Sequence, residues 1–326
     1  MKIKRMLSLR MSGEDVSYLQ NRLKELGFFN EKVDGFFGQN TLISVINFQK
    51  KCGIKPDGVV GSLTMNKLNT FDMILAKEND IPHVISYTND NGLKIYDHLL
   101  KDEEYIKDIK PKNTIWLHHT AGGSRPDWTI DGWEKDFKKD KTGKPILDSN
   151  GNKIPLQVGT PYVIGRKSST TNDTLWDGKI LRAFDEKYYA YHLGISSRNS
   201  EELNWCSIPI EICNYGPLTK GRDGRFYNYV HKPINDSDVV KLDNPFNGYE
   251  YFERYTDAQL ESTRKLIIYL INKYAIKIEG KIYNEKWFEY DEKWFIPGGI
   301  RSHSQVRRDK FDIFPQKEMI QMLNSI

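Results

Sequence analysis

Two short segments, far apart in the chain, concentrate the residue types that metal-assisted hydrolysis needs. Leu117-His118-His119-Thr120-Ala121-Gly122 carries two adjacent imidazoles. Ser302-His303-Ser304 adds another imidazole, and Lys310-Phe311-Asp312 adds an ammonium and a carboxylate. A mononuclear zinc hydrolase requires such a set: three N or O ligands that leave one position open, with a cation for developing negative charge. Side chains alternate along a strand, so His118 and His119 point to opposite faces and only one of them can meet a metal. The other packs or braces. On residue type alone, a buried, hydrogen-bonded histidine pair is the commoner reading.

The elements that must position these groups follow an α/β pattern. Short apolar runs at 114–118, 161–166, 179–184 and 207–213 are bounded by turn residues and predict strands. Leu260, Leu266, Ile267, Leu270 and Ile271 recur on one face of a helix over 256–275, with Thr256 as N-cap, and a last short helix is expected over 315–323. Lys141-Thr142-Gly143-Lys144-Pro145 and Ser149-Asn150-Gly151-Asn152 read as the tips of an inserted polar hairpin within 136–156. Strands followed by long helices imply a central mixed sheet flanked by helices. Pro209 lacks a ladder donor and is expected at a sheet edge. Glu211, between Ile210 and Ile212, is a partly desolvated carboxylate whose raised pKa suits proton transfer; a structural ion pair is the competing reading.

Leu117-His118-His119-Thr120-Ala121-Gly122 resembles the L-H-x-T-A-G opening of the zinc-dependent N-acetylmuramoyl-L-alanine amidase type 2 family. Ser302-His303-Ser304 is similar to that family's G-H-S, with serine in place of the first glycine, and Lys310-Phe311-Asp312 matches its K-x-D. Phe314-Pro315-Gln316 matches the closing turn. The resemblance implies that His118, His303 and Asp312 hold one Zn2+, with Lys310 as the nearby cation. Ser207-Ile208-Pro209-Ile210-Glu211-Ile212 resembles S-I-G-I-E-L, which implies Glu211 as general base. Tyr191-His192-Leu193-Gly194 resembles W-H-A-G, so His192 is expected to position substrate, although a packed histidine fits almost as well. Thr160, where some members carry a catalytic tyrosine, and Asn214, beyond Glu211, are expected to line the same groove; Tyr162 is expected in the core. The implied reaction is hydrolysis of the amide between N-acetylmuramic acid and L-alanine. A non-catalytic recognition protein on the same fold is the alternative.

The N-terminal part points to a target. Asp34-Gly35-Phe36-Phe37-Gly38-Gln39-Asn40-Thr41 recurs as Asp57-Gly58-Val59-Val60-Gly61-Ser62-Leu63-Thr64, both reading D-G-x-x-G-x-x-T. Helical spacing of Val16, Leu19, Leu23 and Leu26, and of Val45, Ile46, Phe48 and Gln49, predicts short helices joined by D-G loops. Together with Gly13, Gln20, Gly27 and Leu68, this resembles the peptidoglycan-binding domain of cell-wall hydrolases. The expected organisation is a three-helix peptidoglycan-binding domain (1–70), a linker and leading segment (71–110) with a turn at 87–92 and a helix over 93–109, and a zinc amidase domain (111–326).

Composition sets the remaining bounds. At 326 residues with 38% hydrophobic and 28% charged residues, the chain is long enough for two folded domains. A net charge of +4, from 48 basic and 44 acidic residues, is too balanced to argue for nucleic acid. Three cysteines make no disulfide framework. No run is long and apolar enough for a signal peptide or a membrane span. The expectation is a monomer made in a cytoplasm that acts on bacterial peptidoglycan after release, as phage or prophage endolysins do.

Overall fold

The computed structural model describes residues 5–26, 28–29, 31–52, 54–68, 93–196, 199–278 and 282–326. The chain divides into two compact units, Met1–Ile81 and Pro82–Ile326. The expected turn at 87–92 lies outside the described residues.

The first unit contains α1 (Glu14–Glu25), α2 (Gln39–Lys51) and a third helix, α3, described over 62–68. Val16, Leu19, Leu23, Val45, Phe48, Val60 and Leu68 form its core. The D-G repeat has one physical cause, used twice. The buried Gln20 amide donates to Asp34 Oδ1 (2.8 Å), Phe36 O (3.0 Å) and Thr41 Oγ1 (3.0 Å), and its oxygen accepts from Gly35 N (2.9 Å). Gln49 does the same with Asp57 Oδ1 (3.0 Å), Val59 O (3.0 Å), Thr64 Oγ1 (3.1 Å) and Gly58 N (2.8 Å). Gly35 and Gly58 turn the loop at φ 69° and 72°, where a side chain is strained. Aspartate, glycine and threonine recur because each meets the same buried amide.

In the second unit, β1 (Ile95–Asp97), β2 (Thr114–His119), β3 (Tyr162–Ile164), β4 (Ile180–Arg182) and β5 (Ser207–Ile212) belong to one mixed sheet. Two small sheets follow. The first joins β6 (Thr219–Lys220), β7 (Phe226–Tyr227) and β8 (Pro233–Ile234), and the second pairs β9 (Val239–Phe246) with β10 (Tyr249–Glu253). The last strand, β11 (Gly299–Ser302), returns to the main sheet, whose order is β1-β4-β3-β5-β2-β11. β3 and β4 are antiparallel and all other pairs in this sheet are parallel.

The helices of this unit are α4 (Pro126–Trp133), α5 (Ser200–Trp205), α6 (Asp257–Tyr274) and α7 (Lys317–Asn324). Ile115, Leu117, Ile208, Ile210, Ile212 and Ile300 pack on one sheet face against Leu260, Leu266, Ile267 and Leu270 of α6 and Met319 and Leu323 of α7. Strand alternation therefore turns Trp116, His118, Pro209 and Glu211 to the opposite face, where Leu203 of α5 packs on Trp116. Thr256 caps α6 as expected, in a reciprocal capping box with Gln259. No helix among the described residues is long and apolar enough to cross a membrane, and Cys52, Cys206 and Cys213 are unbridged.

Two expectations are corrected. Residues 93–109 do not form a helix: Leu93 and Ile95 are buried with period two, and Ile95–Asp97 pairs with β4 at the sheet edge. A 3-10 turn, Asp102–Glu104, follows. Pro209 lies in an interior strand, between β3 and β2. Cys213 N donates to Ile164 O, so odd-numbered donors of β5 face β3, whose pairing begins only at Tyr162 opposite Ile210. The donor missing at Pro209 falls just before that ladder starts. The inserted segment has its two turn tips at 141–143 and 149–151, within the two stretches expected. The bridges Lys139–Pro145, Leu147–Lys153 and Phe137–Pro155 meet there as three short arms.

Candidate metal centre

The parallel register sets His118 of β2 directly opposite Glu211 of β5. His303 follows β11 in a 3-10 turn, His303–Gln305, held by a reciprocal capping box between Ser302 and Gln305. Ser304 N donates to Asp312 O (2.9 Å), which fastens the segment bearing Asp312 to the same turn. Side chains separated by almost two hundred positions thereby converge. His118 Nδ1 lies 3.0 Å from His303 Nδ1 and 3.3 Å from Asp312 Oδ2, and His303 Nδ1 lies 2.9 Å from Asp312 Oδ2. All three residues are buried, at 2%, 4% and 6% exposure.

Hydrogen bonds around the trio dictate where its protons sit. Ser207 Oγ donates to Asn204 O (3.0 Å), so its oxygen accepts the Nε2 proton of His192 (2.9 Å). His192 Nδ1 is then an acceptor and takes the Nε2 proton of His118 (3.0 Å), which leaves a lone pair on His118 Nδ1. On the other side, His303 Nε2 donates to Leu193 O (2.8 Å), and its Nδ1 also keeps a lone pair. Burial pushes the His118 ring down to about 4, with the charge of His303 acting the same way. Burial opposes ionisation of Asp312, but the adjoining His303 and His118 rings outweigh it and hold the carboxyl well below its ordinary range. Two lone pairs and a carboxylate thus face one another with no proton among them.

That arrangement is repulsive by itself and fits a divalent cation. A tetrahedron with ligand bonds near 2.0–2.1 Å has edges of roughly 3.3 Å, close to the three separations found here. The donor set of two imidazoles and one carboxylate suits zinc, with a fourth position left open.

Glu211 completes the site. Its Oε2 is enclosed and has no hydrogen-bond partner. Burial, assisted by the negative charge of Asp312 and opposed by Lys310, pushes its pKa up to about 8. Lys310 is close enough to act electrostatically on both Glu211 and His118. His119, on the opposite face, packs between Tyr255 Oη (3.0 Å from Nδ1) and Phe314.

The sequence profile described as N-acetylmuramoyl-L-alanine amidase matches residues 108–312, nearly two thirds of the chain, and spans every residue of this cluster. The chain belongs to the N-acetylmuramoyl-L-alanine amidase family. A second profile, described as a putative peptidoglycan binding domain, matches residues 12–68. The chain is similar to the spore cortex-lytic enzyme of Oceanobacillus iheyensis, 50% identical over 56 residues, which are 17% of this chain and 20% of that protein. It is also similar to the N-acetylmuramoyl-L-alanine amidase CwlM of Mycobacterium tuberculosis, 41% identical over 100 residues, 31% of this chain and 20% of that protein. The chain thus spans about a fifth of the length of these curated relatives. Among solved structures, the N-acetylmuramoyl-L-alanine amidase LysC from Clostridium intestinale aligns at 18% identity and a TM-score of 0.35, over 71% of this chain and 97% of that one.

Three expected groove residues of this amidase-family chain are placed differently by the structure. His192 has both ring nitrogens engaged, with His118 and Ser207, so it supports the cluster rather than facing a substrate. Thr160 is buried and its hydroxyl donates to Tyr162 O (2.9 Å). Asn214 is buried, donates to Glu253 O (2.8 Å) and accepts from Gly216 N (2.7 Å). Neither keeps a polar atom for a ligand. Sequence reasoning missed Ser207, Asn204 and the Leu193 carbonyl. Ser207 opens the strand that bears Glu211, and that position was the one available signal.

Proposed function

We propose that the protein is a zinc-dependent N-acetylmuramoyl-L-alanine amidase that hydrolyses the amide joining N-acetylmuramic acid to L-alanine in bacterial peptidoglycan. The observation that carries the reading is the facing of two imidazole lone pairs and the Asp312 carboxylate at 2.9–3.3 Å, beside an enclosed and unpartnered Glu211 oxygen.

His118 Nδ1, His303 Nδ1 and Asp312 Oδ2 would hold the zinc. Bound there, zinc supplies a Lewis acid and brings the pKa of a water toward about 7. Glu211 takes the proton from the attacking water and delivers it to the nitrogen of the leaving L-alanine. Its raised pKa suits both halves of that transfer at neutral pH, since the group is a competent base and a competent acid there. Lys310 offers its ammonium to the developing oxyanion, a contribution of about 3 kcal/mol by comparison with other single oxyanion donors. Ser207 and His192 hold the His118 ring in the tautomer that presents Nδ1.

The N-terminal unit would hold the enzyme on insoluble wall and raise its local concentration there. The combination suits an endolysin of phage or prophage type, acting as a monomer on the wall after release, without a nucleic-acid partner and without inserting into a membrane. Retention of the complete cluster with Glu211 and Lys310 disfavours a non-catalytic recognition protein.

The test is digestion of purified peptidoglycan with wild type and Glu211→Ala, with and without a chelator, and mass identification of the fragments. Free stem peptides beginning at L-alanine, absent from the variant and chelated samples, are expected. Release of reducing ends, or cleavage within the stem, would refute the amidase reading.

A further inference from the structure

The segment 217–254, which carries both small sheets, touches the two loops that bear the site. Tyr229 Oη donates to Ala121 O at 2.6 Å, in the loop immediately after β2, where Ala121 adopts φ 45°. Asn247 Nδ2 donates to Lys310 O at 2.8 Å, and Tyr249 packs edge-on against Phe311 at 5.2 Å. The segment is itself anchored. Arg166, buried beyond β3, donates to Asp238 Oδ1 (3.0 Å) and Arg254 O (2.9 Å), and Glu253 Oε2 accepts from Tyr215 N (2.6 Å).

At this junction stand two tyrosines. Tyr215 and Tyr229 meet edge to face at 6.1 Å, and a Cβ at Gly123 would stand 3.3 Å from Tyr215 Oη, so a small residue keeps the loop against the pair. Tyr229 is 61% exposed although its hydroxyl is engaged. The hydroxyl bond fixes the ring's attitude, and what remains for a ligand is a flat π face beside the loop that leads from His118.

We propose that Tyr229 is the stacking surface of a saccharide subsite which the 217–254 segment adds beside the metal centre. A ring with its polar end already satisfied offers only its face, and a pyranose presents a C–H face of matching size and slightly positive character. An ordered aromatic gains contact at little entropic cost, because its rotamer is already fixed in the free protein. The subsite would take a sugar ring of the glycan strand while the stem peptide crosses the cluster. This assignment rests on the amidase reading for its place in a reaction, but a sugar bound at Tyr229 can be detected without turnover.

The experiment uses the full zinc-loaded chain as wild type, Tyr229→Ala and Tyr229→Phe. One arm measures hydrolysis of a disaccharide-bearing muropeptide and of a sugar-free D-lactoyl stem peptide. Tyr229→Ala is expected to raise KM for the muropeptide about tenfold at unchanged kcat, and to leave the lactoyl peptide unaffected. Tyr229→Phe should fall between wild type and Tyr229→Ala, since it keeps the ring face but loses the bond that fixes its attitude. The second arm titrates the peptide-free disaccharide by calorimetry, read as the difference between wild type and Tyr229→Ala, so that binding by the N-terminal unit cancels. Binding that depends on Tyr229 in a chain that hydrolyses neither substrate would uphold the subsite and reject the amidase. Hydrolysis with KM and titration both indifferent to Tyr229→Ala, or an equal loss on both substrates, would overturn the subsite.

Discussion

Glu211→Gln should stabilise the metal-free protein, and by an amount that grows with pH. The folded-state pKa of Glu211 is raised from 4.5 to about 8, first by burial and then by the charge of Asp312. Between those values the folded chain binds a proton that the unfolded chain has released. The associated stability is therefore complete below pH 4.5 and is lost as pH rises through about 8. At about 1.36 kcal/mol per unit, the ceiling at pH 7 is about 3 kcal/mol. Glu211 is only half-buried, and solvent screening reduces this to about 1–2 kcal/mol. For a unit of this size that is a gap of roughly 3–6 °C in Tm between variant and wild type. Glutamine fills nearly the same space and cannot ionise. Other buried acids, Asp312 and Glu253 among them, are common to both proteins and cancel in the difference. The assay is thermal unfolding of both chains in excess chelator from pH 4.5 to 8.5. The gap should open across that window and close when zinc is added, because a bound cation favours the ionised carboxylate. A gap that stays constant with pH would refute the reasoning, as would a Glu211 carboxyl carbon titrating near 4.5 by NMR.

Two further outcomes follow from the hydrogen bonds. His192→Ala removes the acceptor that fixes the His118 tautomer and should weaken zinc binding about 10- to 100-fold; competition with a chromogenic chelator reads this without reference to turnover, and an unchanged affinity would remove His192 from its supporting place. In the N-terminal unit, Gln49→Ala leaves Gly58 N and the Asp57 loop without their shared partner, which should cost about 1–3 kcal/mol. Denaturant unfolding should show an earlier transition and a pull-down on insoluble wall should show reduced retention, with hydrolysis of soluble fragments unchanged.

What the sequence made legible, and what it hid, divides along the range of the interaction. The D-G-x-x-G-x-x-T repeat is local: each copy closes on one glutamine no more than about twenty residues away, so its spacing survives in the letters. The α6 helix is equally readable, because its apolar face and its Thr256–Gln259 cap lie within the element. The cluster of His118, His303 and Asp312 became legible through motif resemblance, since no periodicity joins residues almost two hundred positions apart. Positions that depend on neighbours in space were misread. Residues 93–109 contain enough apolar and charged residues for a helix, yet Leu93 and Ile95 find a free edge of the sheet at β4, and that pairing decides the outcome. Pro209 reads as an edge residue until the start of β3 is known, since an interior strand tolerates proline where the neighbouring ladder has not begun. His192 carries the same lesson into the site. Its motif suggested a residue facing substrate, but the two ring nitrogens are already claimed by His118 and Ser207, and only the three-dimensional hydrogen-bond accounting shows that its chemistry is directed inward, at the ligand beside it.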